Sequence, residues 1–123
     1  MDVAAFIALA LLALLALFQL GLAFGAPWGA AAWGGRNPGV LPAAYRIASG
    51  VSILVYGLIG LVIADAAGLV DVFDTVPGWL LWVLVGFFAL GTLANAASQS
   101  KVERVWAPVS AVIGICVAII ALG

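Results

Sequence analysis

Four uninterrupted runs of apolar residues limit what this chain can fold into more than any other feature of the sequence. They cover approximately residues 3–24, 44–64, 78–97 and 105–122. The hydrocarbon core of a bilayer is about 30 Å thick, and a helix of roughly 20 apolar residues crosses it. We therefore expect an all-α integral membrane protein in which four transmembrane helices form an up-down antiparallel bundle. By length, residues 1–123 form a single transmembrane domain.

The composition agrees with a membrane location and argues against several classes of function. Hydrophobic residues make up 67% of the chain and charged residues 7%, a balance far outside that of soluble domains. The net charge of -1 disfavours a nucleic-acid partner, which needs a basic face. The chain contains no histidine, which excludes histidine-based haem sites, zinc sites and general bases. Without a recognisable nucleophile–base pair, phosphate loop or metal-ligand cluster, we expect no enzyme activity, metal or cofactor.

The basic residues predict how the chain is oriented in the membrane. Every Lys and Arg lies in or beside the first or the third connection between the predicted helices; they are Arg36, Arg46, Lys101 and Arg104. Aspartates cluster on the opposite side: Asp2, Asp65, Asp71 and Asp74. Cytoplasmic connections carry an excess of Lys and Arg. This distribution predicts that both termini and the second connection lie outside the cytoplasm.

Neutral polar residues recur near the cytoplasmic end of all four predicted helices. At a rise of 1.5 Å per residue, they lie about 7 Å below the membrane boundary or within roughly one turn of that depth. This intramembrane polar layer consists of Gln19, Ser49, Ser52, Thr92, Asn95 and Ser110. One interpretation is hydrogen bonding between helices. The other is the floor of a small cavity that opens toward the cytoplasm or the inner leaflet.

The first connection, residues 25–43, is too rich in Gly and Pro for a simple turn and too apolar for a solvated loop. Its tryptophans and the nearby arginines suit a segment in the headgroup layer, because indole rings favour that region and guanidinium groups match phosphate. The functional hypothesis is a lipid-headgroup or anion site formed by Trp28, Trp33, Arg36 and Arg46. The alternative is an interfacial anchor whose arginines only set the orientation.

The same connection carries the run GAPWG at residues 25–29, then AWGG at 32–35 and LP at 41–42. This pattern resembles small uncharacterised four-span membrane proteins of high-GC bacteria. The resemblance extends from Leu20 to about Ser52 and, less closely, over Asn95–Pro108. It implies a multi-pass protein of the bacterial cytoplasmic (inner) membrane, and it implies nothing about chemistry.

Together these observations favour a non-enzymatic membrane protein that acts through association, as a homo-oligomer or as an accessory subunit of a membrane complex. Four short helices packed together fill their own centre, which leaves little room for a pore within one copy. An alternative is an oligomeric channel or facilitator for a small solute, with its pathway between protomers. A further alternative is a protein that binds a lipid or another hydrophobic molecule. The expected partners are membrane lipids and a second copy or another membrane protein.

Overall fold

The computed structural model describes residues 2–123, in which all the regular secondary structure is helical and no β-strand occurs. Helix α1 spans Asp2–Ala23, α2 spans Ala43–Ala66, α3 spans Gly78–Ala96 and α4 spans Trp106–Leu122. Each of the four is long and apolar enough to cross a membrane when the turn before α4 is included. The prediction of an all-α protein with four such helices is thereby confirmed. Three short 3-10 turns lie in the connections: Gly29–Ala31, Trp33–Gly35 and Glu103–Val105.

Proline and glycine residues explain several of the helix ends. Pro42 and Pro77 are the N-caps of α2 and α3, and Pro108 lies in the first turn of α4. Proline is tolerated there because the first backbone N–H groups of a helix have no partner within it. Gly68 follows α2 with a φ of 80°, the left-handed conformation that ends many helices.

The four helices pack unevenly. Helix α1 packs against α2 and α4, and α3 packs against α4, whereas α2 and α3 make no extensive contact within residues 2–123. Ala5 and Ala8 of α1 are fully buried, in one cluster with Ile63 of α2 and Ile113 of α4. Such small residues let helices approach closely, which favours their association in lipid. The bundle is therefore built around α1 and α4, with a seam between α2 and α3.

Large apolar side chains cover the outer surface of the bundle. Leu54 and Leu58 of α2 are 75% and 60% exposed, and Leu90 and Leu93 of α3 are 69% and 67% exposed. An apolar surface of this extent is rare on soluble monomers. Lipid tails are as apolar as leucine, so the surface suits a protein that crosses the membrane several times.

The first connection, residues 24–42, folds back onto the third connection, residues 97–105. The indole N–H of Trp106 donates a hydrogen bond to the Ala31 carbonyl over 3.0 Å. The hydroxyl of Ser100 donates another hydrogen bond to the carbonyl one residue earlier in the first connection. These bonds join segments about 70 residues apart in sequence. The two connections that carry or adjoin all the basic residues thus lie against each other.

A second, smaller core fastens the first connection to the end of α1. Leu22, Ala32 and Leu41 are buried together, and Phe18 packs against them. The ring of Trp28 stacks on Phe18, with centroids 6.0 Å apart and an angle of 8° between the planes. The first connection is therefore an ordered cover over one end of the bundle.

Candidate functional site: a polar cavity beneath the first connection

A cavity of about 190 Å³ lies beneath the first connection and draws its walls from all four helices. Two other surface grooves have larger volumes, but their linings are mainly apolar and offer few groups for recognition. Ligand sites typically combine an apolar lining with a small number of placed polar groups. This polar cavity meets that description. Its polar-ended lining residues are Gln19, Trp33, Ser52, Tyr56, Asn95, Glu103, Trp106 and Ser110.

Among residues 2–123, Glu103 is the only ionisable carboxylate that lines the polar cavity. It is 6% exposed, and its Oε2 accepts a hydrogen bond of 2.9 Å from the backbone N–H of Gly34. In residues 2–123, no basic side chain forms an ion pair with it. The neighbouring Arg104 turns away and donates from Nε to the Ser98 carbonyl over 2.7 Å. A buried carboxylate without a cation is destabilised by desolvation, so this group is poised to interact with a donor in the cavity.

Gln19 supplies a second unsatisfied acceptor. Its Oε1 is buried and has no hydrogen-bond partner among the described residues. Buried polar atoms are nearly always paired, and an exception calls for an explanation. Because Gln19 lines the polar cavity, a molecule bound there could satisfy this oxygen.

Two further polar residues of the wall, Asn95 and Ser52, donate within their own helices. Asn95 donates from Nδ2 to the Gly91 carbonyl over 2.8 Å, and Ser52 donates to the Ala48 carbonyl over 2.9 Å. An amide keeps its carbonyl oxygen as an acceptor, and a hydroxyl that donates its proton keeps lone pairs. Both residues therefore keep acceptors that a molecule in the polar cavity could use.

The residues of the polar layer predicted from the sequence do not all line the same space in the structure. Four of its members line the polar cavity: Gln19, Ser52, Asn95 and Ser110. Ser49 is fully buried and accepts a hydrogen bond of 3.1 Å from Trp33 Nε1. Thr92 donates to the Phe88 carbonyl over 2.8 Å and lines a groove between α3 and α4 instead.

The four residues proposed for a headgroup or anion site occupy separate surroundings. Trp28 stacks on Phe18, and Trp33 bonds to Ser49. Arg46 donates from Nε to the carbonyl of Ala23 over 3.1 Å. Arg36 is exposed. Its Nε lies close to Gly34, 3.7 Å from the position that a Cβ on this glycine would occupy.

No hydrogen bond joins any two of Trp28, Trp33, Arg36 and Arg46 in the described structure. An anion site needs converging donors. The proposed headgroup or anion site thus stays a prediction.

Sequence reasoning overlooked Glu103 and the aromatic part of the cavity wall. A signal for Glu103 was present, since it is the one acidic residue beside the basic connections while the aspartates lie at the other end. Its burial depends on the fold of the first connection, which no local pattern predicts. Trp106 belongs to the wall for the same reason, because its indole N–H is held by Ala31.

Among residues 2–123, no group of three or more His, Cys, Asp or Glu side chains is arranged to hold a metal ion.

Comparison of the chain with protein-family models, with curated proteins and with solved structures finds no match in any of the three.

Proposed function

We propose that this chain is a multi-pass protein of the bacterial cytoplasmic membrane that binds a small organic molecule in the polar cavity. The observation that carries the proposal is that one cavity is lined both by Gln19, whose buried acceptor Oε1 has no partner among the described residues, and by the buried carboxylate Glu103. An apolar protein cavity of about 150 Å³ is large enough to bind benzene, so about 190 Å³ suffices for a small ligand. This function corresponds to the third sequence-based hypothesis and replaces association as the leading one.

The proposed topology is an up-down antiparallel bundle with both termini outside the cytoplasm. Its support is the contact between the first and third connections, since all four basic residues lie in or beside these segments and Lys and Arg favour the cytoplasmic side. A reporter that is active only outside the cytoplasm, fused to the C-terminus, should be active. An inactive reporter there, with an active one inserted after Arg36, would reverse the topology.

The same proposal includes lateral entry of the ligand between α2 and α3. Two residues of the cavity wall, Trp33 and Phe87, are 38% and 46% exposed, so the cavity reaches the surface near them. The seam between α2 and α3 lacks extensive packing in residues 2–123. A ligand dissolved in the inner leaflet could therefore reach the polar groups without unfolding the bundle.

The test of binding is native mass spectrometry of the protein extracted gently from its own membrane. Gly91 lines the polar cavity, and a Cβ built there would lie 3.6 Å from Ser110 Oγ, an ordinary contact. We therefore expect Gly91→Leu to fill the cavity. The matched control is Gly86→Leu in the same helix, where a Cβ meets no atom within 4 Å.

Wild type and Gly86→Leu should carry a bound small molecule that Gly91→Leu lacks. If wild type carries no such molecule, or if Gly91→Leu retains it, the binding function is wrong.

Association between copies is the second candidate function, favoured by the groove between α3 and α4. This groove has a volume of about 410 Å³ and is lined by Val85, Ala89, Thr92, Leu93, Ser110, Ala111, Gly114, Ile115 and Ala118. Small residues on a lipid-facing surface permit close helix contact. Ala89→Leu should convert a homo-oligomer to monomers in native spectra, while Ala13→Leu, at an exposed site on α1, should not. A monomeric wild type would remove this candidate.

A further inference from the structure

We infer that the ligand of the polar cavity is a small organic cation, a protonated amine on an aromatic or similarly apolar body. The inference rests on the proposed binding function and specifies the chemistry of its ligand. Three features carry it: the uncompensated carboxylate, the open acceptors of Gln19 and Asn95, and the aromatic wall. Each restricts the ligand independently.

The charge of the cavity wall favours a cation. Glu103 is 6% exposed, and its described partner is one backbone N–H, that of Gly34. A carboxylate has about four lone-pair sites, so most of its accepting capacity is open. Of the described basic residues, none lines the polar cavity, although all four lie in or beside the two connections that close it. An anionic ligand would meet repulsion there, and a cationic one would compensate the buried charge.

The hydrogen-bonding groups favour a ligand that donates. Gln19 Oε1 lacks a donor, and the Asn95 amide has its Nδ2 engaged with the Gly91 carbonyl, which leaves Oδ1 as its acceptor. An ammonium group offers three donors and no acceptor. Glu103, Gln19 and Asn95 all line the same cavity and together provide acceptors for such a group. A ligand whose polar end only accepts hydrogen bonds would leave these oxygens unpaired.

The rest of the wall is aromatic, which suits both parts of such a ligand. The aromatic lining residues are Phe18, Trp33, Tyr56, Phe87, Phe88 and Trp106. The faces of aromatic rings attract cations, most strongly for Trp and more so in a desolvated site. Their edges and faces also pack against an apolar body. A hydrophilic inorganic cation would gain little from this surface.

The experiment compares two probes of nearly equal shape, benzylammonium and benzyl alcohol, by isothermal titration calorimetry at pH 7. The protein is reconstituted in nanodiscs of zwitterionic lipid, because anionic lipid attracts cations by itself, and empty nanodiscs provide the blank. We expect benzylammonium to bind at least about tenfold more tightly than benzyl alcohol, as a charge-assisted hydrogen bond in a buried site would give.

Glu103→Gln should abolish this preference, since Gln can still accept the Gly34 N–H but carries no charge. Gln19→Leu should weaken the binding of benzylammonium more than that of benzyl alcohol. This second variant tests the proposal if Glu103→Gln does not fold. The matched control is Asp65→Asn, the same loss of charge in the second connection, which should leave both affinities unchanged.

The results distinguish failure of the cationic-ligand inference from failure of the binding function. Equal binding of both probes, or tighter binding of benzyl alcohol, would overturn the cationic ligand while the binding function stands. An unchanged preference in both Glu103→Gln and Gln19→Leu would overturn it as well. If neither probe binds wild type and native spectra show no bound molecule, the binding function itself fails.

Discussion

One carboxylate accepts hydrogen bonds from the backbone of the second connection, and another accepts one from the first connection. The two differ in their number of donors and in their burial. In the second connection, Asp65 Oδ2 accepts two backbone N–H groups, from Val72 at 2.7 Å and Phe73 at 2.8 Å, and the side chain is partly exposed. Beneath the first connection, Glu103 accepts one N–H, from Gly34, and is buried against a cavity.

The difference distinguishes a carboxylate that organises a loop from one that is available to a ligand. The charge of Asp65 is shared by two donors and by solvent, so its role is complete within the chain. Glu103 is removed from water without equivalent compensation, which is unfavourable for stability alone. The comparison therefore supports the proposed binding site at the end of the bundle that the first connection covers.

The largest expected effect concerns the backbone of the first connection. Gly35 has a φ of 70°, and a Cβ there would overlap the Cβ of Ser100. Gly35→Ala should lower the free energy of unfolding by about 3 kcal/mol, from left-handed strain plus overpacking. Gly39 has a similar φ of 83°, but a Cβ there would meet no atom within 4 Å. Gly39→Ala should therefore lower the free energy of unfolding by only about 1 kcal/mol. Reversible unfolding in mixed micelles measures both; equal losses would mean that the two connections do not pack as described.

The next effect is that neutralising each of the two carboxylates should change the free energy of unfolding differently. Asp65→Asn should lower the free energy of unfolding by about 1 kcal/mol, because two charge-assisted hydrogen bonds become neutral ones. Glu103→Gln should leave it unchanged or raise it by up to about 1 kcal/mol, because a buried charge is removed while an acceptor for Gly34 remains. The same unfolding assay, without ligand, compares them. A larger loss in Glu103→Gln than in Asp65→Asn would make Glu103 a structural residue.

A smaller effect is expected at the contact between Trp33 and Ser49. Trp33→Phe removes the indole N–H and leaves the fully buried Ser49 hydroxyl without its donor, which should lower the free energy of unfolding by about 1 kcal/mol. Ser49→Ala combined with Trp33→Phe should lose less than the sum of the single variants. Strict additivity in this double-mutant cycle would show that the hydrogen bond does not hold the first connection.

The smallest effect separates the two arginines of the proposed headgroup site. Arg46→Ala should lower the free energy of unfolding by about 0.5–1 kcal/mol, because Arg46 bonds to the Ala23 carbonyl at the C-terminal end of α1. Arg36→Ala should leave stability unchanged, since Arg36 is exposed. Bound anionic lipid, quantified after purification of each variant, tests the headgroup hypothesis directly. Unchanged lipid in the double variant would remove it.

The helices could be predicted from the sequence because span length and apolar composition are local properties. Each observed helix begins and ends within two residues of its predicted span. The grouping of Gln19 with Asn95 and Ser110 follows from depth alone. The separation of Thr92 from them does not, because it depends on the rotation of α3 about its axis. The burial of Glu103 was beyond local reasoning, since its partner Gly34 is 69 residues away and meets it only when the first connection folds back.

The most direct test of the binding site is an NMR titration with benzyl alcohol that follows the indole N–H signals of the five tryptophans. Trp33 and Trp106 line the polar cavity, whereas Trp79 and Trp82 lie at the exposed start of α3 and report partitioning into the micelle. We expect saturable shifts of the Trp33 and Trp106 signals, absent in Gly91→Leu, with little change at Trp79 and Trp82. Equal, non-saturating shifts of all the signals, or no shift at Trp33 and Trp106, would contradict a binding site beneath the first connection.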